Sequence, residues 1–193
     1  MEQVKAYFEE SIEVKKAFLS DEKQCQTILE VADQCVQAIL KGKKILICGN
    51  GGSASDAQHF AGEIVGRFRK ERKAYGCVCL NTDTSVMTAI ANDYGYDVVF
   101  SRQVEGVGCE GDIFIGISTS GNSGNVINAI EMCKTKGIKT VAIAGGNGGK
   151  MAGMCDYSLV VPTKVTSHIQ ETHIAIVHIL CKIIEEKLVE NEK

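Results

Sequence analysis

The sequence predicts an α/β fold, a parallel sheet of five strands lying between layers of helices, and two observations carry that prediction. From residue 44 onward, strand-like and helix-like segments alternate, and the strand-like runs are apolar at successive positions rather than at every second one. A strand that is apolar on both sides is covered on both sides, which is the situation of a parallel sheet flanked by helices. The segments between the strands are long enough to be the crossovers that parallel pairing requires. With 193 residues, 45% of them apolar and 23% charged, the chain has the size and balance of one globular domain that needs no cross-links to fold.

The elements follow in order. Residues 4–19 and 23–40 carry apolar side chains at helical spacing, and Asp21 stands where a capping side chain starts the second helix. This helical pair, within residues 1–41, is read as an N-terminal extension of a single domain covering 1–193. Gly42 breaks the pattern. "KILICG" then reads as a buried strand and 53–66 as a helix; "CVCL" as a strand, with helices over 85–92 and near 98–107; "DIFIGIS" as a strand, with a helix over 125–136. "KTVAIAG" is the fourth strand, followed by a short segment containing "GGNGGK", and "YSLVVP" is the fifth, ending at the only proline, Pro162. A long helix over 166–189 closes the chain. Between Ile174 and Ile184 it is apolar almost all round, with His178 and Lys182 as the polar members. A helix of that composition is buried in a large core or between subunits, so the chain is expected to oligomerise through its terminal helices.

Composition narrows the function. The net charge is −3, and the densest basic run, "RFRKERK" from Arg67 to Lys73, contains a glutamate and reads as a solvated surface at a helix end. A nucleic-acid footprint is broader and more basic, so no nucleic-acid partner is expected. No window approaches the roughly 18 apolar residues of a membrane span, and the charged, amphipathic N-terminus lacks a signal-peptide core. The nine cysteines are scattered through apolar runs with no CxxC spacing, as reduced core residues of a cytoplasmic protein would be.

Ligands of open α/β sheets bind outside the carboxyl ends of the strands. Three such ends are rich in small hydrogen-bonding residues: "GNGGSAS" after Cys48, "STSGNSGN" from Ser118 to Asn125, and "GGNGG" from Gly145 to Gly149. Ser118, Thr119, Ser120 and Ser123 place four hydroxyls immediately before a helix, where one would suffice for a cap. Hydroxyls and a helix start together suit a phosphate monoester without any basic residue. Neither loop matches a nucleotide fingerprint, since there is no GxxxxGK[ST] and "GNGGSA" lacks the GxGxxG pattern, so the phosphate is expected on a small molecule rather than on a nucleotide. His59 and Glu63 lie four apart, on one helix face about 40° from each other, a spacing that suits a metal grip, an acid–base pair or a plain surface contact. His178 sits in apolar surroundings and is expected to be buried with partners for its nitrogens. Gln170 and Glu171 precede it and are candidates for the same site. Gln170 and His178 are nevertheless separated by about 12 Å of helical rise, so they meet one ion only if their side chains lean together or come from different subunits. His168 and His173 have no assigned role.

The stretches "CGNGGSASDAQHFAGE", "AIANDYG", "FSRQVE", "GDIFIGISTSGNS" and "HIQETHIAIVHIL" together resemble the bacterial phosphoheptose isomerases, which are sugar-isomerase (SIS) domain proteins, and the resemblance extends over nearly the whole chain. It implies a three-layer α/β sandwich around a five-stranded parallel sheet, a homotetramer with sites between subunits, and a zinc ion in each subunit. The implied activity converts D-sedoheptulose 7-phosphate to D-glycero-D-manno-heptose 7-phosphate through an enediol, the first step toward nucleotide-activated heptoses. By matching motifs, phosphate contacts fall on Ser118, Thr119, Ser120 and Ser123. Sugar contacts fall on Asn50, Gly51, Gly52, Asn92, Asp93 and Gln170, with Ser53 and Glu63 taken as part of the same substrate-facing unit. Zinc ligands fall on His59, Glu63, Gln170 and His178, and the catalytic positions on Glu63 and His178. A carboxylate can move a proton between adjacent carbons, and an imidazole can move protons on the oxygens or help open the ring. A carboxylate held by zinc is a poorer base, so catalytic, structural and inhibitory roles for the metal all stay open. The chain departs from many relatives in carrying Ser167-His168 before "IQE", where arginine commonly stands in the second position.

Two alternatives accompany this reading. SIS-domain proteins that bind the replication initiator DnaA resemble the chain in "LNTD" and "TAIAND", but they lack the glutamate and histidine found here at positions 63 and 178. An isomerase or sensor of another phosphosugar is the other, since a serine loop reads phosphate and not the length of the carbon chain.

Overall fold

In the computed structural model, which describes residues 1–191, two helices open the chain: α1 (Glu2–Ser20) and α2 (Glu22–Leu40). Asp21 separates them by accepting the backbone N–H groups of Lys23 and Gln24, satisfying two of the donors that a helix start leaves free. Five strands follow, β1 (Ile45–Gly49), β2 (Cys77–Cys79), β3 (Ile113–Ser118), β4 (Lys139–Gly145) and β5 (Tyr157–Val161), all parallel in the order β2-β1-β3-β4-β5. The crossovers hold α3 (Gly52–Val65), α4 (Thr84–Tyr94), α5 (Val99–Val107), α6 (Gly124–Thr135) and the short α7 (Gly149–Met154), and α8 (Thr166–Asn191) ends the described chain.

The sheet's pleat sends alternate side chains to opposite faces, and each face has its own core. Ile45, Ile47, Ile113, Ile115, Ile117, Val141 and Ile143 meet α2, α3 and α8. Leu46, Cys48, Phe114 and Ala142 meet Phe100, Val104, Val126 and Ile130 on the other side. This is the three-layer sandwich expected. Within it, α2 is a core helix, with Ile28, Val31, Ala32, Cys35 and Val36 buried, whereas α1 buries only Ser11 and Phe18.

Two local expectations change. The second strand is short and lies at the sheet edge, so Val78 stays exposed where a fully buried run was expected. The basic stretch 67–73 is only partly a solvated surface: Arg72 is almost wholly buried against Glu185 of α8. Within the chain, α8 buries one face, formed by His168, Ile169, Thr172, His173, Ile176, Val177, Leu180, Cys181, Ile184, Glu185 and Leu188, and leaves His178, Ile179 and Lys182 exposed. The helix lies over α1, α2, α3 and β4, and its side carrying His178, Ile179 and Lys182 is left exposed among the described residues.

Candidate active site

The strand order turns back at β1, whose crossover to β2 runs to one side while β3 lies on the other. That makes the gap beyond β1 and β3 the natural ligand crevice of the sheet. Asn50, just after β1, and Asn125, in the first turn of α6, lock its two walls together. Each amide donates to the other's carbonyl oxygen, at 2.9 and 3.0 Å. Asn81 pins the end of β1 by accepting from the N–H of Gly49 and donating to its carbonyl. Tyr96, in the turn after α4, donates its hydroxyl to Asn50 at 3.2 Å and so brings that segment to the rim.

The serine loop after β3 is organised by its own hydroxyls. Ser118 Oγ lies 2.8 Å from Ser123 Oγ and 3.5 Å from Ser120 Oγ, and it accepts the N–H of Gly121; Ser120 Oγ accepts the N–H of Asn122. Ser123 occupies the N-cap of α6, yet its side chain makes no capping bond. Capping therefore does not account for the serines, and they cluster at a twelve-residue helix's positive end. Gly121 sits at φ +64° with no room for a Cβ, because the backbone of Gly148 passes directly over it. This close approach ties the third glycine-rich loop to the second. Beside them a cavity of about 620 Å³ opens, lined by Thr119, Ser120, Asn147, Lys164, Thr166 and Ile169 among others.

Glu63 and the histidines are positioned by α3 and α8, which run side by side in one direction. At the start of α3, a Cβ on Gly52 would come within 2.6 Å of Gln170 Nε2, so glycine is what lets the amide lie there. Further along, His59 Nε2 is 3.0 Å from His178 Nε2 and 3.4 Å from Glu63 Oε1. Asp56 is on the same helix, and its half-buried carboxyl is pushed up by burial against the opposing pull of His59 and His178; its Oδ2 has no partner.

The site residues predicted from sequence thus fall into groups. His59, Glu63 and His178 come together, and so do Ser118, Ser120 and Ser123, with Thr119 between them. Gly51 opens α3 at φ +56°, and Ser53, next along, is buried, with its backbone and Cβ packed on Gly49. Gln170 lies about two turns nearer the start of α3 than the imidazole pair. Asn92 and Asp93 end α4, exposed, and bond to one another. His178 is exposed within the chain rather than buried. Glu171 turns away to α1, where the hydroxyls of Ser11 and Tyr7 hold its carboxyl down at about 2. His173 and His168 are the buried histidines: His173 Nε2 meets the carbonyl of Ala144 at the end of β4, and His168 meets Glu10.

Among the described residues no group of three or more His, Cys, Asp and Glu side chains forms a ready metal cluster. The donor chemistry nevertheless suits zinc. A tetrahedral ion at its usual bond lengths holds neighbouring donors about 3.3 Å apart, and the two separations at His59 Nε2 bracket that value. Two imidazole nitrogens this close either share one proton or face a common cation.

The sheet order and the serine loop at its turning point are those of a doubly wound α/β domain with a ligand crevice at the switch point, and the model of the SIS domain family matches residues 6–145. A phosphoheptose isomerase of Aneurinibacillus thermoaerophilus is 53% identical over 189 residues, covering 98% of this chain and 96% of that one. Among solved structures, phosphoheptose isomerase GmhA from Neisseria gonorrhoeae is 44% identical with a TM-score of 0.90, over 96% of this chain and 98% of the other. A phosphoheptose isomerase from Francisella tularensis is 36% identical with a TM-score of 0.92, over 96% and 97%. The chain belongs to the phosphoheptose isomerases of the SIS-domain family.

Proposed function

We propose that this chain interconverts D-sedoheptulose 7-phosphate and D-glycero-D-manno-heptose 7-phosphate, the aldose–ketose isomerisation that begins the synthesis of nucleotide-activated heptoses. The observation that carries the reading is the meeting of Glu63, His59 and His178 on α3 and α8 in a chain about half identical, end to end, to phosphoheptose isomerases.

The chemistry follows from the residue types. The serine loop and the start of α6 hold the phosphate, and the Asn50 side of the crevice, with Gly51, Gly52, Asn92, Asp93 and Gln170, holds the sugar. The Glu63 carboxylate takes a proton from C1 of the open-chain ketose. The C–H electron pair then forms the C1–C2 double bond of the enediol, and the carbonyl oxygen takes up a proton. Collapse of the enediol re-forms a carbonyl at C1 as the proton is delivered to C2. His178 moves the proton between the two oxygens. His59, Glu63 and His178 would hold zinc, joined by Gln170 if its side chain leans over or comes from another subunit, and the metal supplies Lewis-acid polarisation of a carbonyl oxygen when bound. Val4, Phe8 and Ile12 on α1 and Ile179 on α8 are large apolar side chains left exposed, which supports a homotetramer packed through the terminal helices. No helix among the described residues is long and apolar enough to cross a membrane, and all nine cysteines are free, which supports a cytoplasmic enzyme.

The test is turnover of sedoheptulose 7-phosphate by the zinc-supplied protein beside Glu63→Gln and His178→Gln. Both variants are expected to lose about 10²–10⁴-fold in kcat while keeping the parent's oligomeric state. A folded parent without turnover would move the assignment to another phosphosugar, or to partner binding.

A further inference from the structure

The basic loop after α3 is built around one buried carboxylate. Glu185 of α8 is 2% exposed. Its oxygens accept three successive backbone N–H groups, from Phe68 at 2.9 Å, Arg69 at 2.8 Å and Lys70 at 2.9 Å, and the Nε of Arg72 at 3.3 Å. Burial alone would raise this carboxyl, but the three N–H groups and the guanidinium outweigh it and hold it below the usual carboxylate range. Arg72, 1% exposed at its side chain, spends its remaining donors on backbone carbonyls. Nη2 donates to that of Glu63 at 2.8 Å and Nη1 to those of Gly66 and Lys73, each at 3.0 Å, and the guanidinium lies over the Tyr75 ring at 4.4 Å.

These contacts join the two helices that carry the reacting groups. One end of the Arg72 fork is on the backbone of Glu63 itself. The other is on a carboxylate two turns along α8 from His178, and the loop held between them presses the Phe68 ring to within 6.0 Å of the His178 ring. We propose that Arg72 and Glu185 are positioning residues for the isomerisation: they set the separation of the Glu63 carboxylate from the His178 imidazole. The inference rests on the roles given above to Glu63 and His178. An ordinary stabilising ion pair could form anywhere along α8; this one bonds to Glu63 and brackets His178. Misplacing reacting groups by about 1 Å can cost as much as 100-fold in rate, so small movements at this joint are expected in kcat.

Arg72→Lys keeps the charge and loses the fork, and Glu185→Gln keeps the shape while turning an NH2 toward donors. Asp112→Asn is the control: another buried carboxylate fed by backbone N–H groups and a cation, far from the crevice at the opposite end of the strands. Turnover of sedoheptulose 7-phosphate and the Cε1–H resonance of His178 are measured on the full-length protein, with His178→Gln assigning the resonance and Phe68→Leu giving its position without the neighbouring ring. Arg72→Lys and Glu185→Gln are expected to lose tenfold or more in kcat with KM within twofold, and to move the resonance toward its Phe68→Leu position. Asp112→Asn should do neither at a comparable loss of Tm. Variants whose kcat follows the control, or whose His178 resonance stays at the parent position, overturn the proposal. If the parent itself shows no turnover, the isomerase reading falls, and the resonance alone decides whether this joint positions the ring.

Discussion

The two ends of the sheet use the same kind of polar chemistry to opposite effect. At the amino end, Asp112 is 1% exposed at its side chain and its oxygens are fully engaged. It accepts the Lys44 N–H at 3.0 Å, the Lys44 ammonium at 2.7 Å and the Cys109 N–H at 2.9 Å, buckling β1 to β3. Asp156 repeats the device between β4 and β5 by accepting the N–H and hydroxyl of Thr140. At the carboxyl end, the serine hydroxyls bond chiefly to each other and to two N–H groups of their own loop, and the N-cap serine does not cap. A hydroxyl both donates and accepts, so a cluster of them can exchange mutual bonds for bonds to a phosphate at little cost. A saturated carboxylate at one end and interchangeable hydroxyls at the other divide stability from binding along 5–7 residues of strand.

The largest break in that contrast is Asp112→Asn. It replaces an acceptor shared by a cation and two N–H groups, and leaves the Lys44 ammonium beside a neutral amide. Because Lys44 is a quarter exposed, the cost lies at the low end for a buried pair, about 3 kcal/mol, or about 8 °C in Tm. Turnover per folded subunit should not change; thermal melts beside steady-state rates check both halves.

His173 tests whether the carboxyl end also contains a purely structural element. It is fully buried beneath β4, meets Ala144 O at 3.1 Å, and burial drives its imidazole down to about 4 despite that bond. Its folded value lies below the ordinary 6.5, so the unfolded chain takes up a proton first as pH falls. The stability contribution is complete above 6.5 and disappears between 6.5 and 4. Tm is therefore expected to fall over that window. In His173→Gln the fall should be smaller by about 9 °C, read from melts at matched ionic strength. An unchanged slope would mean that other groups govern acid stability.

What was legible in the sequence was local. Continuous apolar runs gave the parallel strands, and the excess of hydroxyls over capping needs marked the serine loop. The roughly 12 Å of rise between Gln170 and His178 was legible as a separation along α8, but not where the amide goes: within one chain it lies over Gly52. Pairings across the fold were not legible. Arg72 looked like one charge in a solvated run because its partner, Glu185, is 113 residues away and stands in a charged helix end. His173 had no visible role because its partner is a backbone carbonyl on β4, which leaves no mark on the residue type. His178 was expected to be buried because its neighbours in sequence are apolar, yet Ile179 and Lys182 share its exposed side, while the buried stripe runs through His173, Ile176, Val177, Leu180 and Ile184. Glu171 was grouped with Gln170 by adjacency, but one residue along a helix turns a side chain by about 100°, and that carried it to α1.

Ser123→Ala sharpens the contrast most finely, because it is expected to move binding and leave stability alone. The hydroxyl is partly exposed, and its bond to Ser118 is one of several open to that side chain, since Ser118 still receives the Gly121 N–H. Its loss should leave Tm within about 1 °C, as for an ordinary partly exposed site. A phosphate dianion in the cradle, in contrast, loses a hydrogen bond to a charged group, about 1.5–3 kcal/mol. That corresponds to roughly a 10- to 100-fold rise in KM for the phosphorylated sugar, with kcat little affected, because the same bond is made in ground and transition states. A matching loss of Tm would mean that the serine loop is built for the fold in the way the Asp112 buckle is. A fall in kcat at constant KM would place Ser123 with Glu63 and His178 among the groups whose contacts strengthen as the proton moves.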